Sequence, residues 1–311
     1  ILGWKKQSEI ISLTPFHITS EGVRAKYCPV DCAFNSKGAA NVNLSLFPQM
    51  FHTCFSAYIF SKKLFDTVSF DESLSYDSEL KVLLELLDKK LSYQMSESSF
   101  EYTSPDEMDY FNYLPQFDKD WYLNSMDNFL ISAVKPGATF FRQRFVMYLI
   151  SNRYACNKNE RDKSVLSPAE VNEFVNKTGE AIQNVDDVII SDNRLNGTVC
   201  LPKFFGLNFL RMKYKNPELM PALTTCANEI TAHFNDCLMW KLSAVKIEVK
   251  VIYFDGENLT IDGFFPGNYV FKDGEIEIVA VVDKNTEYPV RTNGIYALEK
   301  VFNVSAAKSY S

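Results

Sequence analysis

The chain has 311 residues, 46% of them hydrophobic and 23% charged, the composition of a globular protein of about two domains, or three if one is incomplete. A formal net charge of −7 excludes a general nucleic-acid binder, which needs a basic footprint. The seven cysteines are odd in number and irregularly spaced, which argues against a disulfide framework and for a reducing cytoplasm.

In chain order, Ser8 to Ile18 is rich in β-branched and aromatic residues and reads as a strand. Glu21 to Asn43 has no sustained period and reads as a long loop. Within it, Cys28-Pro-Val-Asp-Cys32 offers two thiolates, but no second Cys/His pair follows at zinc-finger spacing, so no metal site is assigned. Phe47 to Phe65 is apolar at helix-compatible spacing with a strand-like centre. Leu80 to Leu91 is an amphipathic helix. Tyr93 to Tyr122, aromatic and acidic and punctuated by Pro105 and Pro115, reads as a lid or a domain joint.

Trp121 to Val134 and Thr139 to Tyr154 read as two helices separated by Lys135-Pro136-Gly137. From Arg142 to Lys163 the chain gathers Arg142, Arg144, Arg153, Lys158, Arg161 and Lys163. A solvated helix face is the simpler reading of these, a surface for a polyanion or phospholipid the other. Ser167-Pro168-Ala169-Glu170 starts a helix that runs through Val185, with a capping Ser, Pro at the first helical position and Glu at the third. Asp186 to Leu207 reads as irregular, and Pro217 to Trp240 as one or two further helices. From Ser243 the period becomes two. Val245–Phe254, Leu259–Phe265, Glu275–Val282 and Tyr296–Val304 read as strands of a small antiparallel sandwich. No apolar run approaches the ~20 residues that span a bilayer, and no signal peptide is recognised. Both ends, at Ile1 and Ser311, look cut.

Chemistry concentrates in Phe70-Asp71-Glu72-Ser73-Leu74-Ser75-Tyr76-Asp77-Ser78-Glu79, which leads straight into the Leu80 helix. Carboxylates at a helix N-terminus are stabilised by its dipole, and that alone accounts for them. The functional reading is that one of them faces a cleft and takes a proton from an incoming hydroxyl. His52, in Pro48-Gln49-Met50-Phe51-His52, reads first as a satisfied structural residue and second as a hydrogen-bonding group for an acceptor. Tyr58, Tyr102, Tyr110, Tyr113 and Trp121 are able to stack on sugar rings or to glue domains together, the latter being preferred for Trp121. Asp118-Lys119-Asp120 reads as the N-cap of the Trp121 helix. Asp186-Asp187 lacks a third ligand at metal spacing and reads as a helix-end or turn pair. Neither a Gly-rich phosphate loop nor a G-x-S-x-G elbow is present.

The run Ala57-Tyr-Ile-Phe-Ser-Lys-Lys-Leu-Phe65, followed by Phe70-Asp-Glu-Ser-Leu-Ser-Tyr-Asp-Ser-Glu-Leu80, resembles the acceptor half of inverting family-two glycosyltransferases with the GT-A fold. Arg142 to Ser167, the Val185–Ile189 segment, Lys246 to Phe265 and Tyr288-Pro289-Val290 resemble the helical and Ig-like regions of bacterial wall-polymer, capsule and teichoic-acid glycosyltransferases. The resemblance implies a multidomain α+β chain. Its parts would be an acceptor-side GT-A portion at 1–115, a helical linker domain at 116–241 and an Ig-like β-sandwich at 242–311. It implies Asp77 as general base, with Glu79 the second choice because the adjacent Glu-Asp pair usual in the family is split here. His52, Tyr58 and Tyr102 would bind acceptor. It further implies a nucleotide-sugar donor, a polymeric carbohydrate or polyol-phosphate acceptor such as a teichoic acid or capsular polysaccharide, and a divalent Mg or Mn. The Asp-x-Asp that would hold the metal is expected upstream of Ile1, leaving this fragment inactive alone. The expected location is the cytoplasm, including the inner face of the membrane, and the sandwich is expected to bind polymer or to form homo-oligomers. The competing reading, from another class, is a non-catalytic scaffold that binds polymer or protein, in which the acidic helix start is only a cap.

Overall fold

The computed structural model describes residues 8–18, 24–26, 41–103, 118–159, 165–192, 204–226, 229–241, 248–254, 258–265, 278–283, 286–292 and 300–307. The chain divides into two compact units, one of residues 1–201 with 209–217, the other of residues 202–208 with 218–311.

The first unit begins with strands β1 (Ile10–Ile18), β2 (Arg24–Lys26), β3 (Asn41–Asn43) and β4 (Tyr58–Phe60). Helix α1 (Ser78–Lys90) and strand β5 (Ser92–Thr103) follow. The sheet runs β2-β1-β5-β3, with β4 also paired to β1; β1 and β5 are parallel and the other pairs antiparallel. Phe47 to Phe65 is not a helix: turns and two 3₁₀ segments, Phe55–Ala57 and Lys62–Thr67, flank β4. The first third of the expected lid is the strand β5. Buried Tyr93 and Met95 anchor it, and the Ser and Glu residues around them hide its alternation in the sequence. Helix α1 forms where expected. It buries Val82, Leu83, Leu84, Leu86 and Leu87 and places Lys89 and Lys90 in its last turn, where they complement the helix dipole.

Next come α2 (Lys119–Tyr122), a π turn at Met126–Leu130, α3 (Ile131–Ala133), α4 (Phe140–Asn159), α5 (Pro168–Ala181), α6 (Asp187–Ser191) and α7 (Phe204–Lys213), of which residues 209–213 belong to this unit and 204–208 to the second. Helix α5 carries the full capping box: Ser167 accepts from the Glu170 amide and Glu170 accepts from the Ser167 amide at 2.8 Å. Helix α4 is the centre of the unit. Phe141, Gln143, Arg144, Phe145, Val146, Met147, Tyr148, Leu149, Ile150, Ser151 and Arg153 are all buried, so it is enclosed on every side rather than amphipathic. Phe51, from the first hundred residues, packs against the rings of Phe141, Phe145 and Tyr148 at 5.6, 4.9 and 5.8 Å. Arg142 reaches Asp88 at 2.7 Å and Glu85 at 2.9 Å. These contacts cross the expected division at residue 115, which is why the first two expected domains form one unit up to the segment near Pro217.

In the second unit, β6 (Ala222–Cys226), β7 (Glu229–Phe234) and β8 (Cys237–Lys241) form an antiparallel meander where helices were expected. Thr224, Thr225, Ile230 and Thr231 favour strand, and Asn235, at φ 42°, makes the turn between β7 and β8. Strands β9 (Glu248–Phe254), β10 (Asn258–Phe265), β11 (Ile278–Asp283), β12 (Thr286–Thr292) and β13 (Lys300–Ala307) then form one antiparallel sheet in the order β11-β12-β13-β10-β9. Ile261 of β10 faces Ile252 on one side and Val304 on the other. The described strands make a single sheet, not the two packed layers of an Ig-like sandwich. Strand β12 escapes a sequence reading because Pro289 sits inside it.

Candidate functional site

The start of α1 is held by three consecutive residues. Ser78 accepts a hydrogen bond on Oγ from the Asp71 amide at 2.9 Å, fixing the preceding loop. Tyr76 donates its hydroxyl to Asp118 Oδ2 at 2.8 Å, while Asp118 Oδ1 accepts from the Asp120 amide at 2.9 Å. Asp118 is therefore the expected N-cap of α2, and the Asp120 amide and the Tyr76 hydroxyl hold its carboxyl below the usual carboxylate range.

Asp77, between them, occupies the cap position of α1 without capping it. Its backbone is left-handed (φ 66°, ψ 5°), a conformation that costs a non-glycine residue energy, and its carboxylate accepts none of the free amides of the first turn. The carboxylate instead ion-pairs through Oδ2 with Nη2 of Arg153, from the middle of α4. The two side chains are 5% and 1% exposed, so this is a buried pair. Arg153 completes its bonding with Nε to the Trp121 carbonyl at 3.0 Å and Nη1 to the Leu149 carbonyl at 2.9 Å, its guanidinium 4.6 Å over the Trp121 ring. Among the described residues no donor reaches Asp77 Oδ1.

Glu79, the alternative base, is exposed in the first turn of α1, beside Cys54. Burial pushes the Cys54 thiol up to about 11, and the Glu79 charge adds to the effect. Asp71 pairs with Lys81 at 2.5 Å and accepts from Ser73, which lowers its carboxyl to about 2. Beside this loop lies a chain of phenylalanine rings: Phe70 on Phe55 at 5.7 Å, Phe55 on Phe60 at 5.3 Å and Phe60 on Phe65 at 5.8 Å, with Phe70 48% exposed.

The expected acceptor-binding residues lie elsewhere. His52 is buried, its Nε2 2.8 Å from Ser12 Oγ and its ring stacked on Tyr58 at 4.2 Å. Burial holds the imidazole neutral by lowering its pKa to about 3. Tyr58 is buried too and bonds back to the His52 main chain. Both residues are buried and join β1 to β4. Tyr102 faces His17 along the β1–β5 ladder, and its side chain lies outside the described residues, as do Tyr110 and Tyr113.

The basic stretch is neither a solvated face nor a polyanion surface in its described part. Arg142 pairs with Glu85 and Asp88, Arg144 with Asp192 and Arg153 with Asp77. The side chains of Lys158, Arg161 and Lys163 lie outside the described residues. Asp186 and Asp187 are a helix-start pair: Asp186 exchanges bonds with Gln143 at 2.7 and 3.0 Å, and Asp187 takes Lys213 at 2.8 Å and Tyr214 at 2.7 Å. Among the described residues no group of three or more His, Cys, Asp or Glu is arranged to hold a metal. No described helix is long and apolar enough to cross a membrane. Sequence reasoning missed Arg153, counting it only among basic residues, and the Phe55–Phe60–Phe70 strip. An arginine three residues after the apolar run Phe145–Ile150 was the available signal for the first.

No family model matches the sequence, and no curated protein matches it. Among solved structures, the crystal structure of S. aureus TarS aligns with a TM-score of 0.39 and 10% identity, over 95% of this chain and 52% of that one. The chain thus spans about half the length of that protein. A likeness of this size carries no argument about activity.

Proposed function

We propose that this chain carries the acceptor side of an inverting glycosyltransferase site in which Asp77 is the general base. The observation that carries this reading is the conformation of Asp77. An Asp at a cap position whose carboxylate is withheld from the amides it could cap gives up a stabilising contact, as residues held for a functional role do. The order of motifs around it, from Ala57 to Leu80, supports the same reading, and the exposed Phe70 ring, in the loop that leads to α1, offers an apolar surface on which a sugar can stack. In the proposed step the acceptor hydroxyl gives its proton to Asp77. Its oxygen bonds to the anomeric carbon of a nucleotide sugar from the face opposite the diphosphate, and the bond to the diphosphate breaks with that electron pair leaving on the phosphate oxygen. The acceptor class is a surface polymer such as a teichoic acid or capsular polysaccharide. The donor-binding residues and the ligands of any divalent metal lie outside those described, and no step is assigned to a metal.

The second reading, a non-catalytic scaffold, is favoured by one observation: the Asp77 carboxylate is almost wholly buried against Arg153. A buried pair of this kind is sufficient as a structural anchor. A transfer assay in the full-length protein, with a panel of UDP-sugars and polyol-phosphate acceptor, separates the two. In the enzyme, Asp77→Asn lowers turnover per folded molecule by about 10²-fold or more, and Glu79→Gln leaves it nearly unchanged. Turnover in Asp77→Asn equal to wild type, or wild type inert across the panel, leaves the scaffold.

A further inference from the structure

We infer that Arg153, from the middle of α4, is the positioning residue for Asp77, fixing which carboxylate oxygen is offered to the acceptor. The inference rests on Asp77 being the base.

An unconstrained Asp at the cap position of a helix turns its carboxylate onto the amides of the second or third helical residue. Asp77 does not, and what draws it away is the Arg153 guanidinium. That guanidinium has little freedom of its own. Two of its three nitrogens are bonded to the carbonyls of Trp121 and Leu149 and its face lies over the Trp121 ring, so the backbone of two helices sets its position. With Oδ2 tied to that fixed point, the carboxylate is held toward α4 and away from the first-turn amides. Oδ1, which no described donor reaches, is left as the atom to receive a proton. Tyr76 and Asp118 brace the same junction from the other side, tying the residue before Asp77 to the cap of the helix that holds Trp121. A lysine would keep the charge and lose this geometry, because an ammonium is a point charge without a planar fork. The base is thus presented by α1 but aimed by α4, a contact between residues 76 positions apart.

The test is a double-mutant cycle in the full-length protein, measuring kcat, donor KM and folded fraction for wild type, Asp77→Asn, Arg153→Lys, Arg153→Met and the double variant Asp77→Asn/Arg153→Met. A positioning role predicts that kcat per folded molecule falls about 10-fold in Arg153→Lys and about 10²-fold in Arg153→Met, the scale of an ångström's misplacement, with donor KM within about twofold of wild type. It also predicts that Arg153→Met costs no further kcat once Asp77 is Asn. If Arg153→Met does not fold, the retained charge of Arg153→Lys still reports the loss of geometry. Unchanged kcat per folded molecule in the Arg153 variants, beside a large loss in Asp77→Asn, overturns the positioning role and leaves the base assignment standing. An Asp77→Asn variant as active as wild type, or an inert wild type, removes the base assignment and this inference with it.

Discussion

At the scale of single residues, burial decides what each titratable group does. His52 has the composition of a binding residue and the surroundings of a core residue, since stacking on Tyr58 and closure to solvent leave the charged form without hydration. Its folded-state pKa of about 3 lies below the ordinary value of 6.5, so between those limits the unfolded chain binds more protons than the folded one. Stability contributed by neutral His52 is therefore complete above about pH 6.5 and is lost as pH falls toward 3, by at most about 1.4 kcal/mol per pH unit. Melting curves from pH 7 to 4 should show a steeper fall for wild type than for His52→Gln; parallel curves would mean that the imidazole protonates in place. Asp77 shows the same rule for a charged pair. Replacing it with Asn leaves the Arg153 charge buried without its counter-ion, so a loss of about 3–5 kcal/mol is expected, larger than the ~0.5–2 kcal/mol of a lost helix cap. Urea denaturation of Asp77→Asn measures this, and a loss under 1 kcal/mol would show that water reaches the pair.

At the scale of elements, local signals and packing often agree and sometimes conflict. The Ser167 box on α5 was legible because both partners lie within four residues of each other, and Ser167→Ala should cost about 0.5–2 kcal/mol in thermal or urea melts. Gly179, in the same helix, is a conflict. Propensity alone favours alanine there by about 1 kcal/mol. A Cβ at that position would come within 2.9 Å of the Met212 carbonyl on α7, so backbone must shift and Gly179→Ala should lower stability by about 1–3 kcal/mol. A more stable Gly179→Ala would show that α5 and α7 separate easily. The meander β6–β8 and strand β5 were misread for a related reason. Their alternation is diluted by polar residues, and for β6 by Pro217 and Pro221 nearby; β5 is settled only by ladder partners distant in sequence, on β1 and β3, whereas β6–β8 pair with their own chain neighbours.

At the scale of the molecule, two compact units imply two cooperative transitions in urea, and Gly179→Ala, inside the first, should shift one and leave the other in place. A single transition that moves as a whole would show that the units fold as one. The sequence by itself determined the elements whose causes are local: the apolar stripe of α1, the caps at Ser167 and Asp118, and the period-two strands β9 and β10. It also carried the motif order on which the proposal for Asp77, with Glu79 as the alternative, rests. Only the tertiary structure decided that α4 is central rather than peripheral, that Arg142, Arg144 and Arg153 serve as internal counter-ions, and that His52 and Tyr58 are core. The physical reason is range. A cap or an amphipathic stripe is written within one turn of chain, whereas a buried charge is tolerated only where a partner, here up to 76 residues away, is folded against it.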